Sequence, residues 1–137
     1  MNQVKELPHD LLAEKSLIGC LIIDGSSFDE ISNLSLRQKD FFHPQYGIIF
    51  ETITDLILNH LPVDYITLCA RLKDNGKLDV VGGQSAILEL VEDQAHAANV
   101  YHYAKIVKEK SALRDIVKNA MRIADQGMNF AGKTEDF

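Results

Sequence analysis

The sequence predicts an all-α protein, and three observations carry that expectation. Apolar residues recur at helical spacing in segment after segment. Short turns built from Gly, Pro, Asn and Asp separate those segments. No strand-like runs alternate with helices, as a parallel sheet would require. The expected architecture is a compact multi-helix head over residues 7–95, followed by a long projecting helix over 96–127. That helix reads as the first leg of a helical hairpin. Residues 1–6 read as a flexible tail, and 128–137 as the hairpin turn and the start of a second leg that is cut short.

The first helix is expected over Asp10 to Ile23, where Leu11, Leu12, Leu17, Ile18, Leu21 and Ile22 give one wide apolar face. Asp10 is its expected N-cap, and Glu14 faces the positive end of the dipole. Asp24-Gly25-Ser26-Ser27 stops it. A short helix over Phe28–Leu34 and a turn over Leu36–Phe42 follow. Pro44 suits the first position of the next helix, since its missing N–H costs nothing there. Ile48, Ile49, Phe50, Ile53, Leu56, Ile57 and Leu61 carry the pattern to about Asn59, and Pro62 ends it. Asp64 is placed to cap a further helix running through Lys73, with Ile66, Leu68, Cys69 and Leu72 on its buried side. Asn75-Gly76 closes it in the left-handed conformation. Leu78 to Val81 resembles a strand, but it is short and isolated, so it reads as a connector. Gly82-Gly83 gives a tight approach between elements and leads into a helix from Gln84 to about Val91. The last helix, about Ala97 to Gln126, would be roughly 45 Å long at 1.5 Å per residue. That exceeds the width of so small a head, so it should project.

Composition narrows the function classes. A chain of 137 residues with 46% hydrophobic and 25% charged residues suits one soluble domain with its own core. No apolar run approaches the roughly 18 residues of a membrane span, and Met1 to Pro8 has no signal-peptide core. A cytoplasmic location is the expectation. Cys20 and Cys69 fall inside apolar helical patterns and read as reduced structural thiols. A disulfide is possible, but their spacing does not argue for it. The formal net charge of −6 runs against phosphate neutralisation. A role near DNA would therefore go through contacts with protein.

The long helix asks for a partner. Ile106, Leu113, Ile116, Ala120 and Ile123 follow an a/d spacing that Glu109 breaks once, and Tyr103, Val107, Val117, Met121 and Ala124 lie beside it. Such a wide apolar surface either packs on the head or serves self-association. Tyr103, Ile106, Val107, Leu113, Ile116, Val117, Ala120 and Ile123 are the candidates for an oligomer interface. Lys110, Arg114, Lys118 and Arg122 make an i, i+4 ridge, with Lys105 and Lys108 nearby. The ridge is either a solvated face or a docking site for an acidic partner surface.

Residues that suggest chemistry are few. Gly127 to Thr134 formally satisfies G-x4-G-K-[ST], yet a phosphate-binding loop needs a strand before it and a helix after it. Here a long helix precedes the motif, so Gly127 reads as a helix C-cap and Thr134 with Glu135-Asp136 as a further helix start. His9, His43, His60, His96 and His102 show no ligand spacing with Cys or carboxylates. No carboxylate pair is embedded in an apolar setting. No catalytic residue, cofactor site or metal site is expected in this chain.

A resemblance takes the reading further. Leu7-Pro8-His9-Asp10-Leu11-Leu12-Ala13-Glu14-Lys15-Ser16 resembles the Pro-His-x-x-x-Ala-Glu opening of DnaB-type replicative helicases. Leu17 to Asp24 continues it around Gly19-Cys20. Asp40-Phe41-Phe42-His43-Pro44 with Ile49-Phe50-Glu51, then Pro62-Val63-Asp64-Tyr65-Ile66-Thr67-Leu68, is similar to two further strings of that family. Val81-Gly82-Gly83 and Ala98-Asn99-Val100, with Tyr103-Ala104 and Ile106-Val107, complete the order over about residues 7–127. The resemblance implies a helical head plus a helical hairpin in the N-terminal tier of a homohexamer, with hairpins pairing into a trimer of dimers. It also implies docking of the C-terminal domain of primase and, in some bacteria, of a loader protein. ATP, Mg and 5′-to-3′ unwinding would belong to a motor domain outside this sequence. The remaining alternatives are a free-standing helical regulator that binds DNA and a nucleotide-binding protein using Gly127 to Thr134.

Overall fold

The computed structural model describes residues 6–92 and 99–137. It contains α1 (Leu11–Ile23), α2 (Pro44–Leu58), α3 (Tyr65–Asp74), α4 (Gly83–Glu92) and α5 (Val100–Met128). Short 3-10 segments lie at Gly25–Glu30, Ser32–Leu34, Gln38–Asp40 and Thr134–Asp136. No strand occurs among the described residues, as the all-α expectation required. The expected head–arm boundary at 95/96 falls outside the described residues.

Local chemistry starts each helix where the sequence places it. Asp10 accepts the Ala13 amide at 2.9 Å and Asp64 accepts the Thr67 amide at 2.7 Å. Each such cap is worth about 1 kcal/mol. Pro44 occupies the first turn of α2, and the His43 ring accepts the Gln45 amide at 3.3 Å. α2 stops at Leu58, ahead of Pro62, with His60 in the left-handed region at φ 56°. Gly76 takes φ 70° after α3. Gly82 and Gly83 take φ 102° and 80°, backbone that glycine adopts freely, and a Cβ on Gly82 would lie 2.8 Å from that of Ala86 in α4, whereas Gly83 faces open space. Leu78–Val81 is a turn.

Packing departs from the expectation at three places. α1 is buried on every side from Ser16 to Ile22 and touches α2, α3, α4 and α5, so it is the hub of the head. Its almost unbroken apolar run explains why one face does not suffice. Ile66 is 77% exposed, whereas Leu68, Cys69 and Leu72 of the same expected face are buried. Phe28–Leu34 forms two 3-10 turns in place of a helix, with Ile31 buried beneath them. Phe41 and Phe50 are core residues at a ring separation of 5.0 Å. Phe42 is half-buried and stacks on His9 at 4.0 Å. Cys20 and Cys69 are buried thiols outside any disulfide. Burial pushes both above the ordinary thiol value, which suppresses the reactive thiolate.

Candidate functional site: the arm and its anchor

α5 has 29 residues, about 44 Å of helix, and its two halves live in different surroundings. Val100, Ala104, Val107, Ser111 and Arg114 are buried against the head. From Asp115 to Met128 the residues are exposed, except a half-buried Val117. The second half therefore projects as an arm.

This divides the residues expected at an oligomer interface. Val107 is 2% exposed and belongs to the core, while Tyr103 and Ile106 are half-buried and packed against it. All three pack against the head, Val107 fully and Tyr103 and Ile106 on one side only. Leu113, Ile116 and Ile123 are 43%, 64% and 51% exposed, and Ala120 is exposed beside them. With Val117 they form the apolar stripe that the fold leaves open.

The basic ridge divides the same way. Arg114 is buried and cannot be a docking residue, and Lys110 is half-buried. Lys118 and Arg122 are exposed, and Arg122 reaches Asn119 at 3.2 Å. Arg114 fails the expectation because its guanidinium has work inside the fold. Nη1 donates to the Pro8 carbonyl at 2.9 Å and Nη2 to the Asp40 carbonyl at 2.6 Å. The group lies 5.7 Å from the centre of the Phe42 ring.

Two buried carboxylates complete this anchor, and sequence reasoning missed both. Asp40 accepts the Ser111 hydroxyl at 2.6 Å, the Arg37 amide at 2.8 Å and Lys108 Nζ at 3.4 Å. Burial by itself raises its pKa. The bonds from Ser111 and Arg37 and the charge of Lys108 outweigh that effect and hold the carboxyl below its ordinary value. Glu14 is buried in α1 and accepts the amides of Phe42 and His43 at 2.9 and 3.1 Å. The segment Arg37–His43 is thus tied to α1 on one side and to α5 on the other. The only sequence signal was the placement of Asp40 and Glu14 within the family-like strings.

The remaining motifs carry no chemistry here. Gly127 lies within the last turn of α5, and the helix ends on Asn129, not on a glycine cap. An α-helix precedes the Gly127–Thr134 string and a three-residue 3-10 turn follows it, so no phosphate-receiving helix is present. Phe137 folds back toward Gly127 and meets Phe130 at 5.4 Å. Among the described residues no group of three or more His, Cys, Asp or Glu is arranged to hold a metal ion. His96 lies outside them. No helix among the described residues is long and apolar enough to cross a membrane.

Comparison with known proteins agrees with this geometry. The family model for the DnaB-like helicase N terminal domain matches residues 6–109. Replicative DNA helicase DnaB of Buchnera aphidicola subsp. Baizongia pistaciae is 38% identical over 136 residues, 97% of this chain and 29% of that protein. The Haemophilus influenzae protein of the same name is 33% identical over 131 residues, 96% of this chain and 28% of that protein. The chain thus spans less than a third of the length of these relatives. The crystal structure of the N-terminal domain of DnaB helicase from Mycobacterium tuberculosis matches with a TM-score of 0.88 at 32% identity, covering 95% of this chain and 92% of that one. The N-terminal domain of DnaB helicase from Helicobacter pylori, described with its interactions with primase, shares the fold. Its TM-score is 0.73 at 17% identity, over 85% of this chain and 90% of that one.

Proposed function

This chain belongs to the DnaB-like helicase N-terminal domain family, and from that premise we propose that it is a non-catalytic assembly and docking module. It builds the N-terminal tier of a hexameric, ATP-dependent replicative helicase and recruits primase to it. The unwinding motor, with its ATP and Mg, lies in the part of such proteins that this chain does not span.

One observation carries the reading: an arm that leaves the head with an uncovered apolar stripe at Leu113, Ile116, Ala120 and Ile123. An exposed stripe at a/d spacing on a projecting helix is stable only when another helix covers it. That helix is either the second hairpin leg or the arm of another subunit, and pairing of hairpins makes the tier. The net charge of −6 favours protein over nucleic acid as the partner. Primase enters through the Helicobacter pylori relative. Lys118 and Arg122 are the exposed remainder of the ridge and the cations available to an acidic partner surface. A loader protein is a further partner of the same module.

The test is a calorimetric titration of this chain with the C-terminal domain of primase from the same organism. Saturable binding that weakens with salt supports docking through Lys118 and Arg122. Binding indifferent to salt removes those two residues from the site. Absence of binding, both here and with a chain carrying the complete hairpin, overturns the recruitment role.

A further inference from the structure

The N-terminal strap and the root of the arm meet although Pro8 and Arg114 are 106 positions apart in sequence. Arg114 is held between two carbonyls, one from the strap at Pro8 and one from the head at Asp40. Phe42 lies beneath this junction, in ring contact with His9 at 4.0 Å and with the guanidinium 5.7 Å from its centre. His9 is itself fixed in the strap: Nδ1 donates to the Leu7 carbonyl at 2.6 Å and Nε2 lies 3.3 Å from Glu6. The strap ends on Asp10, the cap of α1. Every one of these contacts is non-covalent, and the Glu6 end is exposed.

We infer that Glu6–Asp10 is a latch that stiffens α5 where it leaves the head. With the strap seated, Arg114 bridges strap and head, and the helix is anchored about two turns beyond the last apolar core contact at Val107. With the strap lifted, Arg114 keeps only the Asp40 carbonyl, Phe42 loses the ring that covers it, and the arm root is held without the strap by that bond, Ser111, Lys108, the exposed Lys39–Asp115 pair and the core. Capture of the strap by another molecule and loosening of the arm root are then one linked equilibrium, each opposing or favouring the other by the same factor. The inference goes beyond the assembly reading and holds whether or not arms pair.

Amide hydrogen exchange on the full chain tests it, compared with His9→Ala, Arg114→Lys and a chain lacking residues 1–9. Loss of a charge-assisted hydrogen bond should speed exchange over residues 108–118 by about tenfold in the truncated chain. Arg114→Lys should reproduce that local pattern, because an ammonium keeps the charge but cannot span both carbonyls. His9→Ala should give a smaller acceleration in the same place. Amides of α2 and α3 should not change. Unchanged exchange over 108–118 would overturn the latch, as would equal acceleration in every helix. Local acceleration on truncation that Arg114→Lys fails to reproduce would also overturn it, since the strap would then act without the arm.

Discussion

The two halves of α5 share one helical period and one composition style, yet one half is core and the other is surface. Val100, Ala104 and Val107 vanish into the head, while Leu113, Ile116 and Ile123 stay open to solvent. Both sets satisfy the same spacing rule. Periodicity identifies which residues share a face; it does not say what covers the face. The crossover comes at Ser111 and Arg114, two polar side chains that occupy buried positions because Asp40 and Pro8 supply partners there. A polar seam thus marks where intramolecular packing ends and the surface offered to other chains begins.

Placing a charge on the buried half gives the largest effect. Val107→Asp puts an unpaired carboxylate into the core and should cost about 3–5 kcal/mol, as breaking a buried ion pair does. Thermal unfolding should fall by about 10–20 °C. A shift of a few degrees would mean that α5 detaches from the head easily, and the contrast between halves would collapse.

Cutting the seam comes next. Arg114→Ala leaves the carbonyls of Pro8 and Asp40 without their donor, and orphaned buried groups of this kind cost about 1–3 kcal/mol. Chemical denaturation should report that loss with an unchanged dependence on denaturant concentration. If stability is unaltered, water replaces the guanidinium and the seam is not an anchor.

Acid gives a finer test of the same place. Asp40 has its folded pKa below the ordinary 3.8, so its contribution to stability is fully present above that value. It is lost as pH falls through the lower, folded pKa. Ser111→Ala removes one of the bonds that lower it, so the stability still lost to acid should disappear at a higher pH in the variant. Identical acid-unfolding midpoints for the two proteins would show that Ser111 does not hold the carboxylate.

These residues also show what the sequence could and could not reveal. Asp10, Asp64, Pro44 and Gly76 act through atoms one to three residues away, so their roles were legible in the chain itself. Glu14 bonds to amides 28 and 29 positions distant, and Asp40 to a hydroxyl 71 positions distant. No local pattern announces such pairs. Arg114 was misplaced for the same reason: its spacing matched Lys110 and Lys118, and its partners lie 74 and 106 positions away. Gly127 was misread in the opposite sense. Its identity suggested a cap, but α5 runs through it because nothing there forces a positive φ.

The smallest effect on stability should come from the exposed half, and it completes the comparison. Ile116→Asp changes a side chain that is 64% exposed, so folding stability should stay within about 0.5 kcal/mol of the parent. The same carboxylate would sit in the middle of any helix–helix seam formed by the arm, where burial without a partner is costly. Sedimentation velocity over a concentration series should therefore show association in the parent chain and its loss in the variant. Circular dichroism should stay the same. If both proteins are monomeric throughout, the exposed stripe does not pair arm with arm in this chain. If both associate equally, the stripe is not the assembly surface. The open half of α5 would then need an occupant other than a second arm, although its exposure and spacing would be unchanged.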